Sequence, residues 1–108
     1  MSELFSEISW ENFADESDVV IGSYSVSQGR RLYRHKHPIP EYYYILRGNG
    51  YIFLNGERVF LRPGMFLTIS ENVYHSVLNP FSKDLEILYV FPKGYFRDIP
   101  YITDKYVD

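Results

Sequence analysis

With 108 residues, 45% of them hydrophobic, the chain can bury one core and is too apolar to be a disordered segment. Eleven basic against fourteen acidic side chains leave a net charge of −3, so no broad cationic surface exists for a phosphate backbone, and nucleic acid is not an expected partner. The absence of cysteine removes disulfides, thiolate metal sites and cysteine nucleophiles, and no apolar run approaches the roughly 18 residues a membrane span needs.

Residues 1–19 read as an acidic arm with an apolar handhold at Ile8, Trp10 and Phe13, expected to add an outer strand or a short helix. The opening MSELFSEISWENF lacks the basic and apolar regions of a signal peptide, so a cytoplasmic protein is expected. From Val20 onward short alternating segments take over. Eleven tyrosines and eight phenylalanines favour strands, because flat rings pack well on a half-buried pleated surface. Strands are expected over Val20–Ser27, Arg31–His37, Tyr42–Arg47, Tyr51–Leu54, Glu57–Leu61, Met65–Ile69, His75–Leu78 and Leu85–Phe91.

Turn residues punctuate these segments. Asn55-Gly56 is the preferred pair for a two-residue type I′ hairpin, and Gly48-Asn49-Gly50, Arg62-Pro63-Gly64 and Asn79-Pro80 mark further turns. No amphipathic helix longer than two turns is evident. The tail, residues 92–108, carries Tyr95, Phe96, Ile99, Tyr101, Ile102 and Tyr106, too many aromatic and apolar groups to float free. It is expected to lie across the body of the protein or on a neighbouring subunit. The expected class is all-β, an antiparallel sandwich or barrel in one domain, with its core over residues 20–91.

Two of the three histidines, His35 and His37, stand one residue apart on an expected strand, so their side chains share a face about 7 Å apart and can share a cation. The Pro38-Ile39-Pro40 corner then turns the chain, and Glu41 follows where it can supply a third ligand. His75, on a different strand, can complete a set of three histidines and one carboxylate. By alternation Arg34 and Lys36 face away from the histidines toward solvent, while Tyr33 shares the histidine face. Tyr43, Ile45 and Arg47 share the face of Glu41, and Tyr42 and Tyr44 point outward. An inward tyrosine beside a cation has three readings: a packed core residue, a pocket wall, or an acid/base group.

The run Gly29, His35-Lys36-His37, Glu41, Gly48 resembles the first motif of the cupins without a gap, and Gly64, His75 and Asn79 fit the second. Ser70 and Asn72 replace the proline and second glycine of that second motif; asparagine tolerates a left-handed backbone better than most residues. The resemblance covers residues 20–91. It implies a double-stranded β-helix, or jelly-roll barrel, holding one divalent metal such as Mn, Fe, Ni, Zn or Cu, and frequently a homodimer. His35, His37, Glu41 and His75 are the implied ligands, a donor set that suits those ions. The spacing His35, His37, Glu41, Tyr43 also resembles that of cupin lyases that cleave dimethylsulfoniopropionate, in which the tyrosine abstracts a proton, and it occurs in cupins of other activities. The expected function is therefore a metal-dependent enzyme acting on a small polar or anionic molecule. Dioxygenase, isomerase, decarboxylase and lyase chemistry stay open. Tyr43 is the candidate acid/base, and Tyr33 and Tyr43 are the candidate pocket residues. The alternative is a non-catalytic cupin that captures a sugar or carboxylate through its metal.

Overall fold

The computed structural model describes residues 9–15, 19–92 and 102–104. Ten strands make up this part, in order β1 (Ser9–Asp15), β2 (Val20–Val26), β3 (Arg31–Lys36), β4 (Glu41–Arg47), β5 (Gly50–Leu54), β6 (Glu57–Leu61), β7 (Phe66–Ile69), β8 (His75–Leu78), β9 (Leu85–Phe91) and β10 (Ile102–Asp104). There is no helix among the described residues, and hence none long and apolar enough to cross a membrane. The eight strands expected from the alternation all form, each within one residue of its expected ends. The arm adds an outer strand, β1, antiparallel to β2. Of the tail, β10 pairs with β3. The arm's Ile8 and the tail's Tyr95, Phe96, Ile99, Tyr101 and Tyr106 lie outside the described residues.

The topology follows from one turn. Asn55 and Gly56 have φ of 51° and 86°, the paired positive values of the type I′ hairpin, and they set β5 against β6 with Leu54 opposite Glu57. Outward from that hairpin the chain pairs in nested fashion: β4 with β7, β3 with β8, β2 with β9. The doubled ribbon then wraps, adding β4 to β9 and β5 to β8. Two five-stranded antiparallel sheets result, ordered β1-β2-β9-β4-β7 and β10-β3-β8-β5-β6. From β2 to β5 the chain changes sheet at every connection, which is the double-stranded β-helix.

Alternation fills the interior. Val20, Tyr24, Val26, Tyr43, Ile45, Ile69, Ile87, Tyr89 and Phe91 of the first sheet and Leu32, Ile52, Leu61 and Val77 of the second are buried. Each contributes on the order of 1.5–3 kcal/mol of apolar burial. Two register shifts interrupt the pattern. One lies between Leu32 and His35, which both point inward although three residues apart. The other lies between Ile45 and Arg47, so Arg47 does not share the inward face of Glu41 as strict alternation requires; it is exposed and ion-paired with Glu86.

One buried polar side chain ties these elements together. Asn79 donates through its amide to the carbonyls of Val26 (2.7 Å) and Lys83 (2.8 Å) and accepts from the Phe81 N–H (2.9 Å). Its burial therefore leaves no polar atom unpaired.

Gly48, with φ of 82°, stands where the β4–β5 turn crosses the chain entering β9. A Cβ there would overlap the Asp84 carbonyl oxygen and stand 2.8 Å from Leu85 Cα. Gly29 has a similar φ of 76° but open space around it. Gly48→Ala is expected to cost roughly 2–4 kcal/mol of unfolding free energy, against about 1 kcal/mol for Gly29→Ala, as urea denaturation will measure.

Candidate metal centre

The three histidines form one cluster, and Glu41 stands beside two of them. His35 and His75 are directly opposed across the β3–β8 ladder, with ring centroids 4.1 Å apart. His37 lies just past β3, its ring 5.8 Å from that of His35 and 5.0 Å from that of His75. One ring nitrogen from each of the three lies within 4.8 Å of the others. Glu41, the first residue of β4, reaches in from the facing sheet. Its Oε1 stands 3.1 Å from His37 Nε2 and 3.4 Å from His75 Nε2. All four are buried, and Glu41 is the least so at 4%.

The backbone sets the protonation pattern. His35 Nδ1 donates to the Tyr33 carbonyl at 2.7 Å, His37 Nδ1 to the Ile39 carbonyl at 2.7 Å, and His75 Nδ1 to the Val73 carbonyl at 2.9 Å. A carbonyl only accepts, so each ring carries a proton on Nδ1, and Nε2 is the atom left to face the interior. His37 Nε2 faces the Glu41 carboxylate at hydrogen-bonding distance, and a proton or a metal ion between the two satisfies both. His75 Nε2 has no hydrogen-bond partner among the described residues. Acceptors this close require something positive between them.

A divalent ion fits that requirement. Two donors each about 2.1 Å from one ion are about 3.0 Å apart at a right angle and about 3.4 Å apart at the tetrahedral angle. The Glu41–His37 and Glu41–His75 separations fall in that range. Histidines whose second nitrogen is held by a carbonyl are also the usual form of metal-ligating imidazole.

Burial pushes the His35 imidazole well below the ordinary histidine pKa, and the neighbouring His75 pushes it the same way. Burial alone would raise the Glu41 carboxyl, but His37 and His75 outweigh it and hold Glu41 below its usual value.

Around the center lies an aromatic lining. Phe91 packs edge-on to His37 at 5.1 Å, and the Tyr43 ring lies 6.4 Å from that of His75. Tyr24 sits 5.9 Å from Tyr43 and 6.0 Å from Tyr89. Tyr43 is where alternation from Glu41 puts it, fully buried. Tyr33 is half-buried, packs against the core, and lends its carbonyl to His35. Tyr24, Tyr89 and Phe91 were not among the sequence candidates. The signal for them is the alternation of β2 and β9, but only the ladder shows that these strands flank β4.

The loop entering β8 is the place where the second motif departs from pattern, and the backbone accommodates it. Asn72 takes φ of 60°, the left-handed conformation of the replaced glycine, and its N–H donates to the His37 carbonyl at 2.7 Å.

Residues 23–91 match the cupin domain family. The chain is a cupin. Dimethylsulfoniopropionate lyase DddW from Ruegeria pomeroyi is 29% identical over 103 residues, 90% of this cupin and 66% of that protein, so this chain spans just under two thirds of the relative's length. Among solved structures, a double-stranded β-helix protein from Klebsiella pneumoniae superposes with a TM-score of 0.80 at 16% identity, over 90% of this chain and 84% of that one. The polyketide cyclase RemF from Streptomyces resistomycificus gives 0.80 at 18% identity, over 94% and 73%. At such identities the two structures speak to the fold of this cupin.

The metal-free protein is expected to lose stability on acidification. His35 and Glu41 both have folded-state pKa values below their ordinary ones, so the unfolded chain binds more protons as pH falls. The stability these groups contribute is complete above the unfolded values. The His35 part fades below about pH 6.5 and the Glu41 part below about 4.3, on approach to the folded values. Urea midpoints of the chelator-treated protein should fall steadily from pH 7.5 to 4.

Proposed function

We propose that this cupin is a metal-dependent lyase that removes a proton from a small substrate bearing a carboxylate. In this reading His35, His37 and His75, through Nε2, and Glu41, through its carboxylate, hold one divalent ion, Mn, Fe, Ni, Zn or Cu. The observation that carries it is the Glu41 carboxylate set 3.1 and 3.4 Å from two imidazole nitrogens whose protons are already committed elsewhere. A bound ion supplies Lewis acidity toward a substrate oxygen. Three neutral imidazoles and one carboxylate leave a divalent site with a charge of +1, so a carboxylate is the favoured guest.

Tyr43 is the proposed base. It lies two residues beyond Glu41 on the same inward face, and its ring stands 6.4 Å from that of His75. A neighbouring cation favours the phenolate over the phenol. Tyr33, packed against the core on the other sheet, is the proposed second pocket residue.

The likeness to a dimethylsulfoniopropionate lyase favours elimination over oxygenation or isomerisation. For such a substrate the Tyr43 phenolate takes the proton from the carbon beside the carboxylate. The electron pair left on that carbon forms the C=C bond as the C–S bond breaks, and sulfur departs with the bonding pair as neutral dimethyl sulfide.

Purified protein is expected to hold about one transition ion per chain by elemental analysis. Headspace chromatography should detect dimethyl sulfide from dimethylsulfoniopropionate. His75→Ala should lose both metal and activity while keeping its far-UV spectrum. Tyr43→Phe should keep the metal and lower kcat by at least about 100-fold. Full metal occupancy in a His35→Ala/His37→Ala variant would refute the ligand assignment. Substrate binding with no product would place this cupin with the capture modules instead.

A homodimer is proposed as well. The outer face of β4 and β7 presents Tyr44 (40% exposed), Leu46 and Phe66 (63% exposed), with Tyr42 stacked on Phe66 at 5.8 Å. Apolar surface gathered in this way marks a contact. Light scattering should give twice the chain mass, and Phe66→Asp should give the monomer; a monomeric wild type at high concentration would refute it.

A further inference from the structure

His75 opens β8, so whatever holds the start of that strand also places a candidate ligand. Backbone pairing of β3 with β8 ends at His35 and His75. The next antiparallel pair, Lys36 opposite Tyr74, falls beyond the ladder at the point where the imidazoles must be held in register. Tyr74 closes the loop 70–74, and that loop touches two of the candidate ligands. The Asn72 N–H donates to the His37 carbonyl, and the Val73 carbonyl accepts the His75 Nδ1 proton. The Tyr74 carbonyl in turn accepts from the Asn55 N–H at 2.9 Å.

These are backbone contacts, available to almost any residue at position 74. The side chain adds something specific. Arg34 holds its guanidinium carbon 4.1 Å from the Tyr74 ring center, and Lys36 holds its ammonium 4.7 Å from it. Arg34 and Lys36 occupy the outward face of β3, on either side of inward His35. Two cations of β3 thus hold one ring of the loop before β8, on the reverse side of the sheet from the imidazoles. The grip acts where the ladder has run out, and beside a loop that carries a non-glycine residue in the left-handed region at Asn72.

We propose that Tyr74 is a positioning residue for the metal centre. Its ring, held by Arg34 and Lys36, fixes the loop 70–74 against the outside of β3. The loop then fixes the Val73 carbonyl that orients His75 and the Asn72 N–H that anchors His37. The inference rests on the metal reading above and extends it to residues that touch neither metal nor substrate. The contact uses the ring face and not the hydroxyl, so phenylalanine can replace tyrosine while an aliphatic residue cannot.

The test is cobalt(II) binding to the full chain, measured by competition with a chromophoric chelator, with the visible d–d absorption recorded alongside. Tyr74→Phe should bind Co(II) within about twofold of wild type, whereas Tyr74→Leu and Arg34→Gln/Lys36→Gln should each weaken it by about tenfold or more and displace the d–d bands. Measurements are made where each metal-free variant has the wild-type circular dichroism spectrum, so a loss of fold is not read as a loss of affinity. If Tyr74→Leu does not fold, the double glutamine variant, altered only on the outer face of β3, decides. Folded variants that bind Co(II) as wild type does would overturn the proposal, as would a phenylalanine variant as weak as the leucine one. A wild type that takes up no Co(II) would overturn the metal reading itself, a result distinct from either.

Discussion

The carbonyls of Tyr33, Ile39 and Val73 each take the Nδ1 proton of a buried histidine, and the rest of the site depends on that commitment. With Nδ1 engaged, each neutral ring can offer the interior only a lone pair. Three such lone pairs beside the Glu41 carboxylate make a buried cluster of acceptors, which repel one another unless a proton or a cation lies among them. A proton shared with Glu41 or a divalent ion can supply that charge, and the donor types suit the ion. Charge, burial and spacing all point the same way. That agreement is stronger than any one of them.

The fold supplies the convergence. Nested pairing about the Asn55-Gly56 turn brings β3 against β8, which places His35 opposite His75. Wrapping of the ribbon then sets β4 in the facing sheet, from which Glu41 reaches across. The candidate ligands therefore come from both walls, and they meet only when the sheets pack. Asn79 holds the ends of β2 and β8 to the loop before β9, and Asn72 carries the left-handed residue that aims the chain into β8. Asn79 belongs to the second motif and Asn72 replaces its second glycine, and both act on the backbone. The motif thus encodes loop geometry as much as it encodes a ligand.

Much of this was legible from particular residues. Period-two alternation located eight strands to within a residue, because a strand with one buried face has no other way to place its apolar side chains. Asn55-Gly56 was recognisable because few other pairs accept two positive φ values. The histidine pair and Glu41 stood out through spacing, and His75 by being the one histidine left. Arg47 was misplaced because a register shift after Ile45 leaves no mark in the sequence: the extra residue is ordinary, and only the partner strand reveals it. The shift near Tyr33 is hidden in the same way. Tyr24, Tyr89 and Phe91 were invisible as neighbours of the centre, since alternation says which way a side chain faces but not which strand lies beside it.

The linear sequence by itself determined the strands, the turns and the identity of the donor atoms, because all of these are set by local sterics and by the chemistry of single side chains. Tertiary structure alone decided that Glu41 stands within reach of His75, that His35 opposes His75, and that two cations of β3 reach the Tyr74 ring. Those are distances between residues far apart in the chain, and they acquire values only once the two sheets have packed. A side chain's chemistry is local, but the field it experiences belongs to the whole fold.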